Sequence, residues 1–361
     1  MNIDALARPE IVAMRPYSSA RTEAPGEGVL LNANEAPWSL LAGSEWEARL
    51  NRYPDPQPRE LVGRLADLYS VPADQVLVTR GSDEGIDLLT RVFCRAGQDA
   101  ILQIPPTFGM YKIAAQSQGA AIISVPRSAE DGFRLPEQDV LDALRADDRI
   151  RLVFLTSPNN PTGDVVREGF LEQLLEQSRG RAVVVVDEAY AEFCRRPSAS
   201  DWVGRYPQLV VLRTLSKAWA AAGLRCGVVL AQPELLALLR RVIAPYPLPS
   251  PVTALALRML QEDVLERQRQ LLRDLEVNKQ TLLTVLEGRP FVTELFPGEA
   301  NFVLVRAERA AELLVFCANR GVILRGFPAD PLLRGYIRIS VGSAQDIETL
   351  AAVLDDWENQ P

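Results

Sequence analysis

One lysine in this chain stands where an amine can do covalent chemistry. In the segment LRTLSKAWAAAGLRCG (212–227), an apolar run ends in Thr214, Leu215, Ser216 and Lys217, and small residues lead on to Arg225. A small, apolar setting and a nearby cation both disfavour an ammonium ion, as a Schiff-base or nucleophilic lysine requires. The bland alternative is a solvated loop lysine, the usual fate of this residue. Lysine occurs at only two other positions, Lys112 and Lys279. Lys279 falls in a highly charged helical segment and reads as a solvated lysine on its polar face, and Lys112 fits the same description. The chain has no histidine. That removes Ser-His and Cys-His hydrolases, His-ligated metal sites and histidine acid–base catalysis together.

Other segments carry complementary groups. VVVVDEAY (183–190) is a continuous β-branched run ending in Asp187 and then Tyr190. Asp187 could cap a following helix, or pair with a protonated pyridine nitrogen and make such a ring an electron sink; with Lys217 about thirty residues on, the second reading is the stronger. SPNNPTG (157–163) holds Asn160 between prolines, either as a plain turn or as a donor to a ring's phenolic oxygen. TRGSDEGI (79–86) reads as strand, glycine turn and helix start, where Gly81, Ser82 and Asp83 form a capped helix or offer backbone N–H groups to an anion. Ser216 and Arg225 could close such a phosphate cup from the other side, Arg225 with two parallel hydrogen bonds. Phe108, in PPTFGMY (105–111), could stack on a ring or pack in the core. Arg338, in YIRIS (336–340), lies inside an alternating strand, where an arginine is uncommon unless it meets an anion. Arg325 is a second candidate, with an exposed salt bridge as its alternative.

The elements that must position these groups follow from periodicity. Strands are expected at 75–79, 100–104, 121–125, 152–156, 182–187, 209–213 and 226–230. Helices are expected at 83–94, 111–118, 137–144, 169–178 and 234–242, which gives a mainly parallel sheet covered on both faces. A lysine at the C-terminal edge of such a sheet lies where open α/β sheets bind ligands. Residues 1–29, with Pro9, Pro16, Pro25, Gly26 and Gly28, read as an irregular N-terminal arm. Residues 30–250 form the large domain, and residues 251–361 a small α+β domain entered by a long helix. That helix carries a narrow stripe through Leu257, Leu260, Val264, Leu271, Leu275, Leu282 and Leu286. Within the small domain, further elements are expected at 302–305, 322–324, 336–340 and 346–357.

Composition narrows the field further. With 361 residues, 47% hydrophobic content and a formal net charge of −8, the chain can bury a large core, and it suits neither nucleic acid nor an anionic membrane. No apolar run reaches a membrane span, and the N-terminus does not read as a signal peptide. Four dispersed cysteines without a CxxC pair read as inert thiols of a reducing, cytoplasmic compartment. No metal site is expected. A nicotinamide dehydrogenase is set aside, since no GxGxxG follows the first strand.

Taken in order, NANE (32–35), YPDPQ (53–57), TRGSDEGI, PPTFGMY, SPNNPTG, VVVDEAYAEFC (184–194), LRTLSKAWAAAGLRCG, IAPYPLPSPV (243–252) and IRISVG (337–342) resemble the fold-type-I, class-II aminotransferases that use pyridoxal 5'-phosphate, most closely the histidinol-phosphate aminotransferase family. The resemblance spans nearly the whole chain. It implies that Lys217 binds the cofactor covalently and moves a proton between the substrate Cα and the cofactor C4′. It further implies Asp187 at the pyridine nitrogen, Asn160 and Tyr190 at the phenolic oxygen, Phe108 stacked on the ring, and Gly81, Ser82, Asp83, Thr214, Ser216 and Arg225 around the phosphate. Tyr53 would reach the phosphate held by a neighbouring subunit, which makes the active unit a homodimer. Arg338 would bind the carboxylate of glutamate or the phosphate of histidinol phosphate, with Tyr17, Asn34, Tyr246 and Arg325 lining the substrate pocket. Phe108 departs from the family pattern, where tyrosine is common. The expected reaction moves an amino group between L-histidinol phosphate and 2-oxoglutarate, a step of histidine biosynthesis. Transamination of aromatic amino acids, phosphothreonine-type decarboxylation and a non-catalytic effector-binding domain are the alternatives. The acidic chain shows no DNA-binding extension of the kind the last usually carries.

Overall fold

The computed structural model describes residues 2–18, 29, 31–41, 43–44 and 50–359. Two sheets organise them. The first has seven strands: β1 (Val76–Thr79), β2 (Ala100–Gln103), β3 (Ala121–Ser124), β4 (Ile150–Thr156), β5 (Val183–Asp187), β6 (Leu209–Thr214) and β7 (Gly227–Leu230). Their order is β1-β7-β6-β5-β4-β2-β3, parallel except where β7 runs antiparallel to both β1 and β6. All seven expected strands form, within two residues at each end. Helices α1 (Pro9–Ala13), α2 (Arg59–Tyr69), α3 (Ser82–Phe93), α4 (Met110–Gln118), α5 (Glu137–Ala146), α6 (Glu168–Ser178) and α7 (Pro233–Arg240) accompany it. The sheet separates two hydrophobic clusters, which is why β5 can be apolar at every position: Val184 and Val186 face one, Val183 and Val185 the other. Helix α3 lies close against the sheet because Gly85 has no side chain. A Cβ there would come within 2.8 Å of Val229 and 3.1 Å of Leu212.

The second sheet is antiparallel, in the order β10-β11-β9-β8: β8 (Val292–Phe296), β9 (Phe302–Ala307), β10 (Arg325–Gly326) and β11 (Tyr336–Ser340). Helices α8 (Ser250–Met259), α9 (Glu262–Leu286), α10 (Ala310–Ala318) and α11 (Ala344–Glu358) complete this half. Among the described residues, no helix is long and apolar enough to cross a membrane.

Four expectations change. The stripe from Leu257 to Leu286 is two helices, broken at Leu260 and Gln261. The reason is divided burial: Leu260 packs into the core of the first sheet, whereas Leu282, Leu283 and Leu286 pack into that of the second. Arg258 and Asp263 span the joint with two 2.7 Å hydrogen bonds. The N-terminal arm is not irregular at its start. Residues 3–5 and 9–13 are helical, and Ile3, Leu6, Ala7 and Ile11 bury beside Val92 and Leu239. Residues 19–28 of that arm lie outside the described residues. The element expected at 322–324 does not form there, and a two-residue strand follows it at Arg325–Gly326.

The fourth concerns Lys279, which is not solvated. It is 9% exposed, and its ammonium donates to the carbonyls of Gly298 (2.7 Å) and Ala300 (2.8 Å). The loop it pins touches the first half of the chain, because Glu299 N–H donates to Gly163 O and the two glycines at 163 and 298 leave no room for a Cβ. Lys279→Met keeps the stem but leaves both carbonyls short of a donor. It should lower stability by about 1–3 kcal/mol, read as a lower calorimetric Tm, while Lys112→Met at an exposed position stays within about 0.5 kcal/mol.

Candidate active site

The parallel strands end together. Thr156 of β4 is in register with Asp187 of β5, and Asp187 with Leu212 of β6. The loops that follow these strands, and the turns after β1 and β2, therefore share one edge of the sheet. They carry Asn160, Tyr190, Lys217, Gly81 and Phe108, while Arg338 arrives from β11 of the other sheet.

Asp187 is buried. Its Oδ2 accepts a hydrogen bond from Tyr111 Oη (2.7 Å), and its Oδ1 accepts one from the N–H of Ala189 (3.1 Å). Burial pushes its carboxyl up to about 6 against these donors, with the negative charges of Asp83 and Glu188 adding to the rise. Tyr111 is itself fully buried, stacked on Phe154 with ring centroids 4.6 Å apart and edge-on to Phe108 at 5.8 Å.

Lys217 is exposed in a turn whose neighbours Leu215, Ala218 and Trp219 are buried. Its ammonium lies 5.5 Å from the centroid of the Tyr190 ring. Desolvation lowers its pKa, and the positive charges of Arg338 and Arg225 lower it further. Tyr190 is pushed up to about 12, chiefly by burial. Ser216 is set by Thr214, whose hydroxyl donates to Ser216 Oγ (2.9 Å) while accepting from Ser216 N–H (3.2 Å).

Arg225 donates to Ser216 Oγ (3.3 Å) and pairs with Asp83 (3.2 Å). It packs so closely on Gly81 that a Cβ there would sit 2.9 Å from the guanidinium. Gly81 has φ +76° and precedes α3, whose first turn has no side-chain cap. Gly227 closes the same corner, since a Cβ on it would meet the backbone of Gly81 at 2.6 Å. Uncapped N–H groups of α3, a serine hydroxyl and a guanidinium thus border one small-residue cradle, the chemistry a phosphate group requires.

Arg338 is half-buried, and desolvation lowers its pKa. It donates to Asn160 Oδ1, lies 5.4 Å from the Phe302 ring centroid, and keeps a buried Nε that has no partner among the described residues. Arg325 faces it across the β10–β11 ladder, is exposed over Phe327 and, among the described residues, forms no salt bridge. Tyr53 and Tyr246 stack on each other at 4.6 Å. Tyr17 and Asn34 remain exposed and, among the described residues, hydrogen-bond to none of these groups.

Two sets of residues escaped the sequence reading. Tyr111, Thr107, Thr156 and Asn159 tie Asp187 to neighbouring loops. Beneath the edge, buried Arg213 binds Glu188 and Glu192, each at 2.8 Å. Its place inside the apolar LVVLRT strand was the available signal, the same one that singled out Arg338.

A family model described as aminotransferase class I and II matches residues 33–354. The chain belongs to the class I and II aminotransferases. A histidinol-phosphate aminotransferase of Aeromonas salmonicida (strain A449) is 46% identical to it, over 99% of each chain. The structure of a histidinol-phosphate aminotransferase from Clostridium acetobutylicum matches with a TM-score of 0.77, covering 86% of this chain and 91% of that one at 20% identity. One from Sinorhizobium meliloti, in complex with pyridoxal-5'-phosphate, matches with a TM-score of 0.75 over 85% and 84% at 21% identity. This aminotransferase therefore has the fold-type-I architecture, a large mainly parallel sheet beside a smaller antiparallel one.

The raised Asp187 carboxyl has a consequence for the cofactor-free aminotransferase. Its folded value, about 6, exceeds the ordinary 3.8, so between the two the folded state binds more protons than the unfolded state. The stability from this group is full below about pH 4 and lost as pH rises through 6, at most about 3 kcal/mol. Asp187→Asn should remove that slope. Parallel calorimetric pH series on the two proteins provide the check.

Proposed function

We propose that this aminotransferase moves an amino group between L-histidinol phosphate and 2-oxoglutarate, with pyridoxal 5'-phosphate joined to Lys217. The reading is carried by one observation: an amine, a buried carboxylate, an anion cradle and a second-sheet arginine meet at a single sheet edge. Its 46% identity to a histidinol-phosphate aminotransferase supports the substrate.

The cofactor, when bound, supplies an electron sink for charge developing at the substrate Cα. The residues present fit it. Ser82 and Asp83 would offer backbone N–H groups to its phosphate, Gly81 would leave room for it, and Ser216 and Arg225 would join them, with Thr214 holding Ser216 in place. A phosphate there would replace Asp83 as the counter-charge of Arg225. Asp187 would face the ring nitrogen, Asn160 and Tyr190 the phenolic oxygen, and Phe108 the ring. Lys217, whose pKa is lowered by desolvation and by Arg338, gives up its proton more readily, which suits an amine that must bind covalently and take the Cα proton. Arg338 would exchange Asn160 for the anionic end of the substrate, which would also give its buried Nε a partner. Tyr17, Asn34, Tyr246 and Arg325 would complete the pocket.

The active unit in this reading is a cytoplasmic homodimer, with Tyr53 serving the phosphate in the neighbouring subunit. Val29, Leu31, Trp38 and Leu40 are exposed large apolar residues in the stretch just before Tyr53, and a second copy would cover them. Residues 1–29, 30–250 and 251–361 would then be the arm, the large domain and the small domain.

In single-turnover reactions, histidinol phosphate should convert the bound cofactor faster than phenylalanine does, with glutamate formed only when 2-oxoglutarate is added. Release of carbon dioxide, or a preference for phenylalanine, would contradict the assignment. Arg338→Gln should raise KM for histidinol phosphate roughly tenfold or more, as loss of a charge-assisted hydrogen bond demands.

A further inference from the structure

Asp187 ends a continuous file of polar atoms. From the far end, the contacts are Asn159 Oδ1 to Thr107 Oγ1 (2.9 Å), Thr107 to Thr156 (3.0 Å), Thr156 to Tyr111 Oη (2.8 Å) and Tyr111 to Asp187 Oδ2 (2.7 Å). The orientation of Asn159 is fixed by its other partners. Its Nδ2 faces the Pro106 carbonyl (3.0 Å) and the hydroxyl of Thr162 (2.7 Å), whose own proton goes to Asp164. Both are acceptors there, so the amide nitrogen must face them and Oδ1 must face Thr107.

The protons can therefore be counted. Three hydroxyls bring one proton each, and there are four contacts to fill. With Asp187 ionised, both ends of the file are pure acceptors, and one contact is left as two oxygens facing each other without a proton. A fourth proton on Asp187 Oδ2 fills every contact in one direction, from Asp187 through Tyr111, Thr156 and Thr107 to Asn159. The imbalance matters because Asp187, Tyr111 and Thr156 are buried, where an unmade hydrogen bond is not replaced by bulk water.

We propose that this hydroxyl file is matched to the neutral acid: it favours the protonated form of Asp187 in the cofactor-free protein, and that proton leaves as the protonated pyridine nitrogen of the cofactor seats. The O–H bond of the carboxyl breaks, the proton passes to solvent or buffer, and the carboxylate left behind faces the ring N–H. Tyr111 then turns its proton onto Asp187, and the file gives up one internal contact in exchange for the ion pair. The proposal rests on the reading that Asp187 meets the ring nitrogen. The other ionisable groups in reach of Asp187 are Asp83 and Glu188, which favour the acid, Lys217, which opposes it, and Tyr190.

The test titrates Asp187 in the cofactor-free protein by carboxyl-carbon NMR after aspartate labelling, with Asp187→Asn assigning the signal. Thr107→Val leaves two contacts and two hydroxyl protons, and Thr156→Val also leaves two of each. Both variants are balanced around an ionised Asp187, so both midpoints should fall by about one pH unit, roughly tenfold in proton affinity. Tyr111→Phe strips the carboxylate of its donor and should raise the midpoint. Loss of a merely structural polar neighbour would leave the threonine variants unchanged or move them upward, and either result overturns the proposal. Calorimetric binding of pyridoxal phosphate in buffers of different ionisation enthalpy then tests the release. It is done at about pH 5.5, midway between the parent midpoint and the one expected of the variants. The parent should release about half a proton more to buffer than the threonine variants do. Equal release overturns the proposal, whereas failure of the parent to bind pyridoxal phosphate strikes the cofactor assignment itself.

Discussion

A carboxylate at the end of a strand buried on both faces is the constraint on which the rest of the edge depends. Taking a charge out of water is unfavourable unless it is neutralised or provided with hydrogen bonds. Asp187 meets that condition locally, with Tyr111 on one oxygen and the Ala189 N–H on the other. Tyr111 in turn must be buried and rigid, and its stack on Phe154 makes it so. The carboxyl is thus fixed in place before any ligand arrives. Its surroundings favour the neutral acid, and a positively charged ring nitrogen is the kind of partner that stabilises the ionised form.

The two halves of the molecule are joined around this edge by a few polar contacts. Arg338 reaches from the second sheet to Asn160 on the first, and Lys279 anchors the loop that bears on Gly163. Both cations are partly or wholly desolvated, and both act through carbonyl oxygens rather than carboxylates. Such contacts hold a definite arrangement at modest strength, which suits a site whose arginine must exchange a protein oxygen for a substrate anion.

Much of the first sheet was legible because β-branched runs such as VVVV can only be central strands and its turns are rich in Gly, Pro and Asn. Lys217, Asp187, Asn160 and Arg225 stood out because chemically distinctive side chains ended those runs. The rest was hidden for physical reasons. Lys279 looked solvated because its helix is charged, yet the partners that bury it are backbone carbonyls, which carry no sequence signal. The apolar stripe from Leu257 to Leu286 does not reveal that its two ends serve different cores. Tyr111 and the two threonines are ordinary residues, and only the meeting of the segment from Thr107 to Tyr111 with the end of β4 makes a hydrogen-bonded file of them. Tyr17 and Asn34 were placed by resemblance alone, and in the single chain they stay on the surface.

The covalent role of Lys217 is most directly tested by borohydride reduction of protein loaded with pyridoxal phosphate, followed by peptide mass mapping. The account predicts loss of the yellow colour and a single pyridoxyl-modified peptide containing Lys217. Modification of Lys112 or Lys279, or no stable adduct at all, would contradict it.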